Sequence, residues 1–418
     1  MGEQVDARTA AARLGVDVRT LYAYVSRGAL RRVTGPDGRS SRYDSDELEL
    51  LARRSRPRTL PRPPASIDLV IATQVSTVTD GLIRYRGTDI LDLVADREPF
   101  EAVAELLWDG RPGPPGQARP AAPGGGPAAW IPAAWIPAAA PAASLATLLA
   151  GLGDGLPVVH RLAVVVAALP AGRLDAGAAA PARPDWPAWG RRIIAALVQA
   201  SGPAAGGAGA GAGAVAARLW QRWSPLRPAA DRVRALNTAL VLLAEHELAT
   251  STLAVRVAAS GRATPAGCVL AGLGALSGAL HGDVPRRVRE QLLHLQAGDR
   301  PAGNGGAPGT AFDLGFGHPV HRHGDPRAAP LLRAVHAIAT PADRELIEQA
   351  TGAAAAPANV DFALGALCHV ARMPPQAATA IFAVARTAGW IAHAAEEYGE
   401  PALRFRGRAI VRRPASPA

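Results

Sequence analysis

The sequence predicts a mainly α-helical protein that carries a small separate module at its N-terminus. After Asp231, apolar residues recur at helical spacing almost to the end of the chain, and no run of alternating polar and apolar residues indicates a large sheet. Hydrophobic residues make up 49% of the 418 residues and aromatic residues only 5%. Such a core consists mainly of Ala, Val and Leu, which suits close helix packing. A chain of this length favours two or more folding units.

The positive charge of the chain is concentrated at its N-terminus. The formal net charge is +10, and all of the positive charge comes from Arg, because the sequence contains no Lys. Residues 1–62 contain 13 Arg against 8 Asp and Glu, so half of the excess lies in about a seventh of the chain. A basic segment of this kind is typical of nucleic-acid binding.

Residues 1–55 have the pattern of two short helices, a basic hairpin and a third helix. Asp17 is expected to cap the second helix and Gly28 to end it. The pattern resembles the winged helix-turn-helix of excisionase and mercury-resistance-type regulators. The resemblance predicts major-groove contacts from Arg19, Thr20, Tyr22 and Arg27, and phosphate contacts from Arg39 and Arg42. The alternative is a module retained for packing or for protein contacts.

Segments rich in Pro and Gly divide the rest of the chain. Residues 56–66 are rich in Arg and Pro and predict an extended linker. Residues 111–143, 171–187 and 201–213 are rich in Pro, Gly and Ala and predict loops.

The cysteines and the apolar runs indicate the cellular compartment in which the protein is expected to lie. Cys268 and Cys368 lie in apolar runs and predict buried thiols in a reducing compartment, with a single disulfide as the alternative. The first residues lack the basic and apolar regions of an export signal. The apolar run 158–169 is interrupted by Arg161 and is too short to span a bilayer. We therefore expect a cytoplasmic protein.

Three short stretches in the C-terminal half place an ionisable side chain next to glycine or a turn-forming residue. They contain His281 before Gly282, His318 after Gly-Phe-Gly, and Asp361 in Asn-Val-Asp-Phe. One carboxylate and two imidazoles are the groups needed to make a carbon nucleophile and direct it at a carbonyl. The carboxylate takes a proton from carbon, one imidazole holds the enolate oxygen, and the other polarises the electrophile.

Seven motifs in order resemble the citrate synthase family. They are Asp80-Gly-Leu-Ile-Arg-Tyr-Arg-Gly, Glu245-His-Glu-Leu-Ala-Thr-Ser-Thr, Gly274-Ala-Leu-Ser-Gly-Ala-Leu-His-Gly, Gly315-Phe-Gly-His, Asp325-Pro-Arg, Asn359-Val-Asp-Phe and Phe382-Ala-Val-Ala-Arg-Thr-Ala-Gly-Trp-Ile-Ala-His. The resemblance covers about residues 67–418. It implies a large helical domain over 67–281, a smaller mobile domain over 282–380, and a return to the large domain with a C-terminal arm over 381–418. It also implies a homodimer that needs no cofactor beyond its coenzyme A thioester substrate.

The resemblance also implies a role for each matching residue. Asp361 is expected to take a proton from the acyl-CoA, His281 to donate to the enolate oxygen, and His318 to polarise the keto group of oxaloacetate. Contacts to oxaloacetate are expected from His246, Arg327, Arg386 and, supplied by the partner subunit, Arg406. Contacts to coenzyme A are expected from Arg322 and from the backbone at Leu314, Gly315 and Gly317.

These residues imply an acyltransferase that condenses acetyl-CoA or propionyl-CoA with oxaloacetate and then hydrolyses the thioester, a reaction of the tricarboxylic acid cycle. Two alternatives remain open. One is a citrate-cleaving or methylcitrate-forming relative. The other is a DNA-binding regulator that uses a synthase-like domain as a metabolite sensor or dimeriser.

Two local features bear on the predicted site. Asp283 replaces a small residue of the family, and its carboxylate either raises the proton affinity of His281 or points outward. His318, His321 and His323 have i, i+3, i+5 spacing without a Cys or acidic partner at a typical ligand distance, so we expect no metal site.

Overall fold

The computed structural model describes residues 4–14, 16–26, 30–35, 40–45, 47–48, 69–79, 81–109, 147–148, 151–152, 155–169, 183–202, 213–299, 314–318, 320–321 and 323–407. Two compact units contain these residues, Met1–Ala72 and Thr73–Ala418. The predicted linker at 56–66 and the predicted loop at 111–143 lie outside the described residues.

The first unit contains a three-stranded antiparallel sheet and two short helices. Its elements are β1 (Gln4–Asp6), α1 (Ala7–Leu14), α2 (Val18–Ser26), β2 (Val33–Thr34) and β3 (Ser41–Asp44). The strand order is β1-β3-β2, with Val33 opposite Arg42 in the hairpin. Asp17 accepts the Thr20 amide proton at 2.6 Å, as the predicted helix cap requires. A small core that includes Leu21 and Tyr43 holds the unit together.

The second unit begins with a second small antiparallel sheet that the sequence analysis had not predicted. It consists of β4 (Ser76–Thr79), β5 (Leu82–Tyr85) and β6 (Thr88–Asp89), in that order. The strands are short, and hairpin turns separate them, so the chain shows no sustained alternation that a sequence pattern would reveal.

The other elements that the described residues of this unit form are helices, as the sequence predicts. The helices are α3 (Ile90–Ala95), α4 (Phe100–Trp108), α5 (Val158–Ala167), α6 (Trp186–Ala200), α7 (Val215–Trp223), α8 (Ala230–Leu243), α9 (Thr250–Ser260), α10 (Pro265–Leu276), α11 (Val284–Gln296), α12 (Ala328–Ile338), α13 (Pro341–Gly352), α14 (Val360–Val370) and α15 (Gln376–Glu397). The predicted loop at 171–187 is wrong at its end, because α6 begins at Trp186. Asp185 caps this helix and Pro187 occupies its first turn, where proline is favoured.

Helix α15 is the centre of the core. Nearly all of its residues are buried, and it packs against α4, α6, α8, α9 and α10. A Cβ atom at Gly272 would lie 2.8 Å from the Trp390 ring, so this glycine lets α10 approach α15 closely. Cys268 and Cys368 are both free and buried, which confirms the prediction of buried thiols.

Two further predictions concern the domain division and the membrane. The division of the second unit into a large domain and a smaller mobile one stays a prediction. Among the described residues, none of the helices combines the length and the apolar character needed to cross a membrane.

Candidate active site

The loop that carries His318 has left-handed backbone at two glycines. Gly315 has φ of +85° and Gly317 has φ of +67°, a region that side chains rarely adopt. A Cβ atom at Gly315 would lie 2.9 Å from Cβ of Phe362, so this glycine also lets α14 pack directly on the loop. The Gly315 carbonyl accepts the Asn359 amide proton at 2.8 Å. The loop is therefore hydrogen bonded to the residue that precedes α14.

Asn359 fixes both Asp361 and the His318 loop. Its Oδ1 atom accepts from the Asp361 amide at 2.9 Å and from the Phe362 amide at 3.2 Å, which caps α14. Its Nδ2 atom donates to the Gly317 carbonyl at 2.8 Å. One buried side chain thus sets the distance between the turn that carries His318 and the start of the helix that carries Asp361.

Asp325 makes a second connection between the loop and α14. Its carboxylate accepts from Arg327 Nε at 2.9 Å and Nη2 at 2.8 Å, and from the Val360 amide at 3.0 Å. Burial alone would raise the pKa of Asp325, but the Arg327 guanidinium and these hydrogen bonds outweigh it and lower the pKa to about 2. Arg327 is therefore held by a permanent ion pair.

Asp361 lies in the first turn of α14 and has the opposite electrostatic character. Burial of its carboxyl raises the pKa to about 6, and Asp325 adds to the rise, although Arg327 and Arg386 act against it. A carboxylate with such a pKa is ionised near neutral pH yet has a higher proton affinity than an exposed aspartate. This is the property required of a general base.

Three imidazoles meet one another at the His318 loop. His246, in the turn after α8, lies with its ring centre 5.3 Å from that of His318 and 5.1 Å from that of His321. The Nε2 atoms of His246 and His321 are 2.9 Å apart, which is a hydrogen bond between two buried rings. Burial, followed by Arg327 and Arg386, places the pKa of His246 well below its usual range.

His318 has a defined tautomer. Its Nδ1 atom accepts backbone amide protons from Val320 at 3.1 Å and from His321 at 3.3 Å. Burial and the charge of Arg327 lower its pKa to about 4, so the ring is neutral near pH 7. A neutral imidazole that accepts at Nδ1 carries its proton on Nε2, and His318 therefore presents an Nε2–H donor.

His281 is held by a different set of neighbours. Its Nε2 atom lies 2.8 Å from Ser251 Oγ, and Ser251 Oγ also accepts from Trp390 Nε1 at 3.3 Å. Because Trp390 donates, the serine proton is free to point at His281 Nε2, which leaves the imidazole proton on Nδ1. Burial and Arg386 lower the pKa of His281 to about 4. His281 is thus a neutral Nδ1–H donor.

Close packing explains the glycine after His281. A Cβ atom at Gly282 would lie 2.4 Å from Cγ of Leu276, so a larger residue would push the turn away from the end of α10. The nearby Asp283 pairs with Arg286 at 2.6 and 2.8 Å rather than with the imidazole. The pKa of His281 is lowered, so the possibility that Asp283 raises its proton affinity is not met.

Arg386 links the parts of the site. It is buried in α15, and its Nε atom donates to the Leu243 carbonyl at 2.9 Å. Its charge contributes to lowering the pKa values of His246 and His281 and opposes the rise at Asp361. One guanidinium is therefore close enough to act on side chains from three segments of the chain.

The remaining predicted residues are placed less centrally. Leu314 is partly buried against the core, whereas Arg322 lies outside the described residues. Arg406 is exposed after α15 and is not among the charged groups that shift the pKa values of the site. In the first unit, Arg19 and Tyr22 are exposed on α2, and Thr20 and Arg42 are partly buried. Arg27 and Arg39 lie outside the described residues.

Sequence reasoning missed four residues that shape the site. Ser251 lies within the Glu245 motif, and Asp325 and Asn359 begin two of the quoted motifs, so each had a sequence signal but no assigned role. For His321, local spacing points only to His318 and His323, and it assigns the residue no role. Its hydrogen-bond partner, His246, lies 75 residues away in the chain and could not be found from local spacing.

This arrangement defines a class of protein. A partly buried carboxylate of raised pKa, two neutral imidazole donors and two buried guanidiniums are the equipment of an enzyme that forms a carbon–carbon bond through an enolate. Residues 68–413 match the family model described as citrate synthase, C-terminal domain. The chain belongs to the citrate synthase family, whose members are enzymes that condense an acyl-CoA with oxaloacetate.

Individual relatives agree with this assignment. The chain is 32% identical to putative citrate synthase 2 of Mycobacterium tuberculosis over 334 residues, which covers 76% of this chain and 83% of the relative. It is 30% identical to 2-methylcitrate synthase 1 of Corynebacterium glutamicum over 191 residues, or 42% and 49% of the two chains.

Solved structures support the same fold. The citrate synthase of Pyrobaculum aerophilum superposes with a TM-score of 0.65 at 22% identity, covering 83% of this chain and 91% of that one. The citrate synthase of Thermoplasma acidophilum, in a ternary complex with carboxymethyl coenzyme A and oxaloacetate, gives 0.60 at 20% identity, covering 84% and 95%.

Proposed function

We propose that the protein condenses a short acyl-CoA with oxaloacetate and hydrolyses the resulting thioester to release coenzyme A. The observation that carries this proposal is the contrast between Asp361, with its pKa raised to about 6, and two imidazoles with pKa values lowered to about 4. The carboxylate accepts a proton, while both imidazoles stay neutral and donate hydrogen bonds.

In the first step, the Asp361 carboxylate removes a proton from the carbon next to the thioester carbonyl. The electron pair of that C–H bond moves onto the carbonyl oxygen, and Nδ1–H of His281 stabilises the developing enolate. A neutral donor suits this position, because it stabilises the oxygen without giving up its proton completely.

In the second step, the enolate carbon attacks the keto carbon of oxaloacetate. Negative charge moves to the keto oxygen, and Nε2–H of His318 donates a hydrogen bond to that oxygen. Arg327 and Arg386 provide planar, charged donors for the substrate carboxylates, and His246 adds a further contact. Water then attacks the thioester carbonyl of the condensed product, and the carbon–sulfur bond breaks to release coenzyme A.

The coenzyme A site is proposed to lie along the His318 loop. Leu314, Gly315 and Gly317 are proposed to contact coenzyme A through their backbone, and Arg322 is proposed to supply a positive charge for a phosphate. The partner subunit is proposed to supply Arg406 as a third guanidinium. This assignment makes the homodimer necessary for activity, and we place the enzyme in the cytoplasm.

The experiment that tests the proposal follows release of free thiol from acetyl-, propionyl- and butyryl-CoA in the presence of oxaloacetate. We expect release with acetyl- or propionyl-CoA that depends strictly on oxaloacetate. Absence of thiol release with every thioester, from a folded protein, would contradict the proposal. Preference for propionyl-CoA would identify a methylcitrate-forming enzyme, which the similarity to the Corynebacterium glutamicum protein makes a specific alternative.

DNA binding by the first unit is a second candidate function. The features that favour it are the exposed Arg19 and Tyr22 on one short helix and the antiparallel hairpin β2–β3, which together fit a winged helix-turn-helix. Gel shifts with DNA from upstream of the coding sequence should show binding that weakens steeply with salt. The double variant R19A/Y22A should lose it, whereas R8A, which removes an equal charge from α1, should retain most of it.

A further inference from the structure

The hydrogen bond between His246 and His321 is not used by the mechanism above. The two Nε2 atoms are 2.9 Å apart, and the residues keep only 9% and 4% of their surface exposed. Two imidazole nitrogens bond only when one carries a proton and the other offers a lone pair. One proton therefore lies between the two Nε2 atoms. Any further proton of the pair lies on one of the two Nδ1 atoms.

The charged surroundings of the pair come from two segments. The loop contributes Asp325, Arg327 and the neutral ring of His318, and α15 contributes Arg386. Burial and then the arginines lower the pKa of His246, and burial lowers that of His321 despite Asp325. Without a ligand, both rings are therefore neutral near pH 7, with two protons distributed over four nitrogens.

A dicarboxylate changes this balance. Two negative charges placed against Arg327 and Arg386 neutralise the guanidiniums that disfavour a charged imidazole. A third proton can then enter the pair, which leaves one proton in the Nε2 bridge and one on each Nδ1 atom. Both rings become donors, and the added positive charge lies next to the bound anion.

We propose that His321 is a substrate-binding partner of His246, and that the two rings take up one proton from solution when oxaloacetate binds and share it as an imidazole–imidazolium pair. This inference rests on the proposed function, because it assigns a further residue to the same substrate. His321 becomes a specificity-determining residue that favours a doubly charged 2-oxo acid over a singly charged one.

His318 does not take this role, because its Nδ1 atom already accepts two backbone amide protons. The hydrogen bonds of these three imidazoles also suit the cluster to holding a proton rather than a metal ion. Donor nitrogens of the three imidazoles lie within 4.8 Å of one another, but the Nε2 atoms of His246 and His321 are only 2.9 Å apart, closer than the roughly 3.4 Å between tetrahedral ligands with Zn–N bonds of about 2.0–2.1 Å. A metal at Nε2 of His318 would also require its proton to move to Nδ1, at the expense of both backbone hydrogen bonds.

The test is calorimetric titration of the full-length protein with fresh oxaloacetate at pH 7, without acyl-CoA so that no turnover occurs. The binding enthalpy is measured in phosphate and in Tris, whose ionisation enthalpies differ. The difference gives the number of protons exchanged. We expect uptake of close to one proton, and an affinity that rises as the pH falls from 8 to 6.5.

In a D361N background, which removes any proton that Asp361 takes up when the anion binds, the H321F variant should bind more weakly and take up almost no proton. H323A changes an exposed histidine on the same loop and should behave like the unaltered protein. H321N keeps a polar side chain and serves as a second variant if H321F melts early. In turnover, H321F should raise KM for oxaloacetate about tenfold while kcat changes less than about twofold, as expected when ground-state and transition-state binding are lost equally.

Binding without proton uptake, or uptake that survives in both His321 variants, would overturn the inference and leave the proposed function intact. Failure of oxaloacetate to bind at all would instead overturn the proposed function, and the inference with it.

Discussion

The two halves of the active site are built in different ways. The loop half comprises the described residues 315–318, 320–321, 323–327 and 359–361, whose backbone is positioned by side-chain hydrogen bonds from Asn359 and Asp325. The helix half comprises Ser251 and Arg386, which lie on packed core helices, and His281, which lies in the turn between α10 and α11. The loop half carries the proposed base and the proposed keto-group donor, and the helix half carries the proposed enolate donor.

This difference shows where the site is sensitive. In the helix half, position follows from the packing of α9, α10 and α15, so the loss of one polar contact leaves the backbone in place. In the loop half, side-chain hydrogen bonds and left-handed glycines hold irregular backbone, so each of them determines a larger share of the geometry. Variants at Asp361, Gly315 and Ser251, together with the pH profile, test this contrast.

The largest effect is expected at Asp361. D361N removes the base while keeping size and shape, and general-base catalysis contributes about 10²–10⁴ in rate. We expect kcat to fall by about a thousandfold in the thiol-release assay, with oxaloacetate still bound in calorimetry. A variant that retains more than about a tenth of the activity would show that another group takes the proton.

The same variant has a stability signature. The folded-state pKa of Asp361 is raised, to about 6, so ionisation disfavours the fold and stability falls as the pH rises through that value. D361N removes this penalty. Its melting temperature should equal or exceed that of the unaltered protein at pH 8, and the difference should shrink towards pH 5.

The next effect is expected at Gly315. G315A forces a side chain into left-handed backbone and brings a Cβ atom within 2.9 Å of Phe362 and Val288, which costs about 2 kcal/mol or more. We expect a lower melting temperature and at least a tenfold loss of activity. The matched control is G274A on α10, where nothing lies within 4 Å. That helical substitution should stabilise by about 0.5–1 kcal/mol, and equal losses in both variants would remove the contrast between the halves.

A further prediction concerns how kcat/KM for the acyl-CoA depends on pH. Asp361 must be ionised to act, and bound oxaloacetate, being negative, can only raise its pKa further above about 6. At saturating oxaloacetate, kcat/KM for the acyl-CoA should therefore fall about tenfold per pH unit on the acid side of a midpoint at or above pH 6. The imidazoles, with pKa values near 4, should add no second acid limb above pH 5. A midpoint near pH 4 would contradict the assignment of the base.

The smallest effect is expected in the helix half. S251A removes the hydroxyl that orients His281, and the loss of one hydrogen bond of about 1 kcal/mol predicts a roughly fivefold fall in kcat. S260A provides the control, because Ser260 lies on the same helix and its hydroxyl donates to the nearby Val257 carbonyl rather than to a residue of the site. A loss of a hundredfold in S251A would show that the helix half depends on single polar contacts as the loop half does.

The sequence predicted the helical class and the central residues of the site, because short motifs with glycine or a turn former mark His281, His318 and Asp361. It did not reveal β4–β6, whose strands of two to four residues are too short for a periodic pattern. It also could not pair His246 with His321, because local spacing says nothing about contacts across 75 residues.

The hydrogen bonds of Asn359 and Asp325 have a consequence for how the enzyme moves. They tie the turn of His318 and the first turn of α14 together at three points: the Gly315 carbonyl, the Gly317 carbonyl and the Val360 amide. Any opening that admits substrates is therefore expected to move Asp361 and His318, the proposed base and the proposed keto-group donor, together as one rigid body. On this proposal their mutual alignment survives each catalytic cycle, and only their separation from His281 changes.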